Sequence, residues 1–113
     1  MVAPTAGAVV LVHFPFSDLS QTNLRPAVVL AEAGRGDWIL CQVTSKAYGD
    51  ARAITLDSAD FATGSLRITS YARPGKLFTA NRDLIITQVA SLKSEVFTAI
   101  VDAVVNLLRA GDY

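Results

Sequence analysis

Six side chains that could hold an anion, Arg25, Thr44, Ser45, Lys46, Arg73 and Lys76, stand in this sequence at the ends of short apolar runs. Arginine presents a planar fork of N–H donors that matches a phosphate, and adjacent hydroxyls can complete the cradle. Tyr48 and Tyr71 lie close by in sequence and offer rings on which bases can stack. Ordinary polar residues at loop edges would give the same composition, and composition alone favours that plainer reading.

Other chemistries are excluded by residue counts. With one His and one Cys, the chain cannot build a Cys/His zinc site, a CxxC redox pair or an intrachain disulfide. A two-histidine acid/base mechanism is impossible within one subunit. The ten acidic residues are scattered without a DxD or clustered pattern, so no two-metal nuclease is indicated. There is no GxxxxGK[ST] phosphate loop and no HExxH. Neither a metal nor a cofactor is expected. Cys41, in an apolar stretch, reads as a buried small hydrophobe, and His13, within Val-His-Phe-Pro-Phe, as a core or strand-edge residue rather than a base.

Ten Lys plus Arg balance ten Asp plus Glu, so any polyanion site must be a local patch. An apolar fraction of 51% with only 18% charged residues argues against disorder, and 113 residues suit one domain. No basic leader precedes an apolar run, and the run from Ala8 to Val12 falls far short of a membrane span of about 20 residues. A reducing cytoplasm is the expected location, with no membrane contact. So high an apolar content in so small a chain also suggests a homodimer.

The elements that must position these side chains are short. Strands are expected over residues 8–14, 26–30, 38–43, 52–56, 65–71, 76–80 and 84–89. Gly34-Arg-Gly-Asp37 reads as a hairpin turn, and Arg73-Pro-Gly75 and Asn81-Arg-Asp83 read as further turns. Residues 57–62 can hold one helical turn capped by Asp57 or Ser58. The period then changes: Val96, Phe97, Ile100, Val101, Val104, Val105 and Leu108 form one face of an amphipathic helix over about 93–110. Glu95 in its first turn and Arg109 in its last agree with the helix dipole, and Gly111 follows as terminator. Seven short strands and a terminal helix predict a mainly β fold, a small curled antiparallel barrel with the helix packed on it. Too narrow to enclose a ligand, such a barrel must work at its surface or at a subunit interface.

The order of the motifs adds more. Gly7-Ala-Val-Val-Leu-Val-His-Phe-Pro-Phe-Ser-Asp, Leu24-Arg-Pro-Ala-Val-Val-Leu, Gln42-Val-Thr-Ser, Asp60-Phe-Ala-Thr-Gly-Ser-Leu and Ser70-Tyr-Ala-Arg-Pro-Gly-Lys-Leu-Phe-Thr follow one another at spacings that resemble the PemK/MazF toxin family. The resemblance covers nearly the whole chain. It implies a single SH3-like antiparallel barrel with a C-terminal helix. It also implies the toxin of a type II toxin-antitoxin system: a homodimeric, metal-independent endoribonuclease that cuts single-stranded RNA and is neutralised by a cognate antitoxin.

Residue by residue, the family's Arg-Pro-Ala arginine falls on Arg25 and its Thr-Ser hydroxyl on Thr44, with Ser45 beside it. An arginine that some members use in the later hairpin falls on Arg73. The resemblance thus implies Arg25, Thr44 and Arg73 as catalytic residues, with Ser45, Lys46, Tyr71 and Lys76 as RNA contacts. Three features depart from the pattern, one of them Leu24, which stands where a basic residue often precedes the arginine. Gly75 stands where some members carry an aspartate, and Gln21, Thr22 and Asn23 replace an acidic residue before Arg-Pro, so no general base is identified. Two other readings fit a chain of this shape. One is a CcdB-like gyrase poison acting through residues 109–113, and the other is a weakly catalytic, antitoxin-binding member of the family.

Overall fold

A computed structural model describes residues 4–13, 24–46 and 49–110. Phe14, the loop expected over 17–23, Tyr48 and Gly111 lie outside the described residues. The elements are β1 (Ala8–His13), β2 (Leu24–Gly34), β3 (Asp37–Thr44), β4 (Ile54–Leu56), β5 (Phe61–Gly64), β6 (Ser70–Asn81), β7 (Ile85–Leu92) and α1 (Ser94–Ala110). The strands form one seven-stranded sheet in the order β4-β6-β3-β2-β1-β7-β5, and every pairing is antiparallel. The chain is therefore mainly β with one C-terminal helix, as its pattern predicts. No helix among the described residues is long and apolar enough to cross a membrane.

Both faces of the sheet are covered, which is why β1 is a nearly continuous apolar run rather than an alternating one. Ala8, Val10 and Val12 join Ala27, Val29, Trp38, Leu40, Phe78 and Ile85 in one cluster. Val9 points the other way, into a second cluster with Val28, Cys41, Val43, Ala72 and Ile100. Ile100 comes from α1, so this second face is the one the helix covers. The helix face is narrower than its apolar stripe suggests: Ile100 and Val104 are buried, but Leu108 is 70% exposed. One turn on, Leu107 packs over Gly75 instead.

The β2–β3 hairpin closes through Arg35 and Gly36, whose φ values of 56° and 80° suit a two-residue turn matched to strand twist. Asn81 caps the short 3-10 turn at 82–84, its side-chain oxygen accepting from the Asp83 N–H at 3.0 Å.

Two expectations are corrected. Arg73-Pro-Gly75 is not a turn between two strands; it lies inside one twelve-residue strand, β6. The β3–β6 register jumps there, with Val43 opposite Ala72 but Cys41 opposite Leu77. Four β6 residues thus face a single residue of β3. Proline cannot donate to a ladder, so it sits where the ladder is already interrupted. The strand expected over 65–71 is also displaced: β5 ends at Gly64, and residues 65–69 run as a loop before β6 begins at Ser70.

Candidate functional site

At one end of the sheet, the start of β2, the end of β3 and the 65–69 loop surround a groove of about 580 Å3. Arg25, Thr44, Ser45 and Lys46 line it together, joined by Arg67 and Ile68 from the loop. Among its described lining residues the charged ones are Arg25, Lys46 and Arg67, and none is Asp or Glu. A groove lined by one sign of charge concentrates counter-ions even in a neutral chain.

The strands set the order of these groups. The β2–β3 ladder pairs Ala27 with Gln42, and continuing that register by two residues sets Arg25 across from Thr44. In the next ladder Thr44 stands opposite Tyr71. Arg25, Thr44 and Tyr71 therefore form a row across three strands, with Tyr71 half-buried and outside the groove lining. The Thr44 hydroxyl oxygen accepts the Lys46 backbone N–H at 3.2 Å. That bond fixes the oxygen and leaves the hydroxyl proton to be donated, as an anion in the groove would require.

Arg73 and Lys76 lie elsewhere. They line a second hollow, of about 330 Å3, with the 49–52 segment and Leu107. There Arg73 Nε donates to Asp50 Oδ2 at 3.0 Å, with both side chains mostly covered. Asp50 Oδ1 also accepts the Arg52 N–H at 2.9 Å. The Arg73 guanidinium first, and the Arg52 N–H second, hold the Asp50 carboxyl below the usual carboxylate range. On the strand behind, the Cys41 thiol donates to the Arg73 carbonyl oxygen at 3.2 Å. The sequence-derived site residues thus divide into two groups, Arg25 with Thr44, Ser45 and Lys46, and Arg73 with Lys76, with Tyr71 in the lining of neither hollow.

Sequence reasoning missed Arg67 and Ile68. Residues 65–71 read as a strand, whereas the loop that replaces most of it brings Arg67 into the lining of the groove that Arg25 also lines. Asp50 was missed for another reason, since a lone acid in a polar loop carries no sign of its distant partner.

A family model described as PemK-like, MazF-like toxin of type II toxin-antitoxin system matches residues 5–108. The chain belongs to this toxin family. Among solved structures, MazF from Deinococcus radiodurans superposes with a TM-score of 0.76 at 25% identity, covering 96% of this chain and 99% of that one. The MazE-MazF structure from the same organism gives 0.76 at 24% identity, covering 95% and 97%. An endoribonuclease from a mycobacterial species, in complex with its cognate antitoxin, gives 0.72 at 14% identity with 96% of each chain covered. Comparison with curated protein sequences returns no match.

Within this PemK/MazF-family chain, no group of three or more His, Cys, Asp or Glu side chains converges among the described residues. Residues 111–113, which carry most of the gyrase-poison alternative, lie outside them.

Proposed function

We propose that the groove binds single-stranded RNA and that the chain is a metal-independent endoribonuclease, the toxin partner of a cognate antitoxin. The observation that carries this reading is the convergence of Arg25, Thr44, Ser45, Lys46 and Arg67 on one groove with no described carboxylate in its lining. In the reaction, the ribose 2′-oxygen attacks the adjacent phosphorus and the bond to the 5′-oxygen breaks. The products are a 2′,3′-cyclic phosphate and a 5′-hydroxyl. The nucleophile belongs to the substrate, so the protein has to hold the backbone in line and stabilise the charge growing on the phosphorane.

Arg25 supplies the planar charged fork for the non-bridging oxygens. Thr44, its oxygen fixed by the Lys46 N–H, donates its proton to one of them. Ser45, Lys46 and Arg67 bind the flanking backbone. We assign to water both the uptake of the 2′-hydroxyl proton and the return of a proton to the leaving 5′-oxygen. Arg73 and Lys76 meet the RNA outside the groove as additional positive contacts, and Tyr71 backs Thr44 in the sheet. The antitoxin covers the groove with an acidic segment, so its affinity falls as salt rises. Exposed Leu77, Ile86, Val105 and Leu108 provide apolar surface for a homodimer, which light scattering would report as about twice 12.0 kDa.

The deciding experiment is cleavage of a long single-stranded RNA in EDTA, with the product ends mapped. Cyclic phosphate and 5′-hydroxyl ends are expected, as is complete resistance when the nucleotide at the cut is 2′-deoxy. A product ending in a 3′-hydroxyl, or loss of cleavage in EDTA, would overturn the mechanism.

A further inference from the structure

Six large apolar side chains are notably exposed among the described residues, and two of them, Leu24 at 43% and Ile68 at 62%, line the same groove. A single exposed aliphatic residue needs no explanation. This arrangement is more ordered, because each apolar side chain is the sequence neighbour of a groove-lining arginine: Leu24 precedes Arg25 and Ile68 follows Arg67. The groove lining therefore takes one cation and one hydrocarbon side chain from each of two separate chain segments.

Ile68 is also presented on a loop with local anchors. Its carbonyl oxygen accepts the hydroxyl of the buried Ser70 at 3.0 Å. The next residue, Thr69, donates through its hydroxyl to Asp57 Oδ1 at 2.8 Å. Leu66 packs into the helix-side core at the other end of the loop. With Leu66 and Thr69 anchored through their side chains and the Ile68 carbonyl held by Ser70, the loop presents the Ile68 side chain to solvent. Preorganised apolar surface of this kind lowers the ordering cost of a ligand that covers it.

We propose that Leu24 and Ile68 form an aliphatic clamp for one nucleobase beside the phosphate held by Arg25 and Thr44. The inference rests on the RNA-binding reading of the groove and adds the substrate part that the polar residues leave unassigned. A polynucleotide offers phosphates and flat apolar faces together, and the groove offers cations and hydrocarbon within one lining. Its volume lies within the range of about 300–1,000 Å3 usual for small-ligand sites. Aliphatic side chains make no hydrogen bonds to base edges, so the clamp holds purines and pyrimidines alike and contributes affinity rather than sequence readout. An acidic protein segment with an apolar residue is the competing occupant, and the test separates the two.

The probe is a short single-stranded RNA spanning a cut mapped on a long transcript, made non-cleavable by one 2′-deoxy nucleotide. A matching series carries an abasic residue on either side of the cut. Binding is read by fluorescence anisotropy for the wild type, Ile68→Ser and Leu24→Ser, with thermal melting to confirm that these exposed sites leave the fold intact. Each substitution is expected to weaken the intact RNA about tenfold. Each should lose that effect against one abasic RNA and keep it against the other, because base and clamp are then removed together. An equal loss on every probe, or no loss, would overturn the clamp. If Ile68→Ser weakened only the neutralising antitoxin, the surface would be a protein-docking one and the clamp would likewise fall. Wild-type cleavage of the unmodified RNA is run in parallel: its absence would sink the ribonuclease reading itself, whereas its presence without coupling would sink the clamp alone.

Discussion

Arg73 and Asp50, twenty-three positions apart in sequence, meet at 3.0 Å between Nε and Oδ2 and tie the β6 bulge to the turn before β4. The pair turns a break in the β3–β6 ladder into a braced joint. Because the Asp50 carboxyl is held below its ordinary value near 3.8, its stabilisation is complete above that ordinary value and is lost as pH falls through the lowered one. Asp50→Asn should therefore cost about 1 kcal/mol at neutral pH. The melting temperature should drop by about 3–5 °C, and the gap should close in acid. Thermal melts of both proteins across a pH series check this; a gap independent of pH would show that the charge is not what braces the joint.

Cys41 lies beneath the same joint. It is fully buried, and burial pushes its thiol up to about 12. The thiolate is the reactive species, so the native protein should resist alkylation at pH 8 and react fully in denaturant. Mass spectrometry after iodoacetamide treatment, with and without guanidinium, measures the difference. Rapid native labelling would mean that the joint opens readily.

The helix and strands β1 and β3 were legible because apolar period and turn residues agree along them, whereas β7 runs three residues beyond its expected end at Val89. The β6 bulge was not legible, since Pro74 and Gly75 mark any interruption of a ladder and a turn and a bulge share that signature. The site shows the same boundary. Arg25, Thr44, Ser45 and Lys46 could be grouped because one hairpin, β2–β3, brings its own two ends together. Arg73 was grouped with them by the resemblance, because a local motif does not reveal that Asp50 receives its guanidinium. Arg67 and Ile68 depend on where β5 stops. That point is fixed by a tertiary contact at Gly64.

Gly64 has φ +62°, and a Cβ there would run into the Val89 carbonyl oxygen of β7. Backbone thus approaches backbone directly in the β5–β7 pairing, next to the Thr63–Ser91 hydroxyl contact of 2.6 Å. Gly64→Ala adds a steric clash to the strain of a left-handed alanine, at a combined cost of about 2–4 kcal/mol. Gly34 has φ +94° with open space around it, so Gly34→Ala carries the strain alone. Urea unfolding should rank Gly64→Ala clearly below Gly34→Ala. Equal losses would show that β7 yields at that point, and that β5 is not what sets the start of the 65–69 loop.

Arg25 and Thr44 act on the same phosphate if the register across β2 and β3 is what positions them. Arg25→Ala should then lower kcat/KM a hundredfold or more, about 3 kcal/mol of transition-state stabilisation, while thermal melting shows the fold intact. Arg25→Lys should recover little, since a point charge cannot reproduce the planar fork. Thr44→Val deletes both the proton offered to the phosphate and the acceptor for the Lys46 N–H, and should cost about ten- to a hundredfold. Thr44→Ser keeps both and should stay near wild type. In the double variant the losses should fall short of additive, because a phosphate released by one partner is no longer placed for the other. Single-turnover cleavage with protein in excess but below saturation gives kcat/KM for all five variants against wild type on one RNA. Strict additivity would mean that the two side chains touch different parts of the substrate, and an Arg25→Ala protein that cleaves at the wild-type rate would remove the arginine from the chemistry altogether.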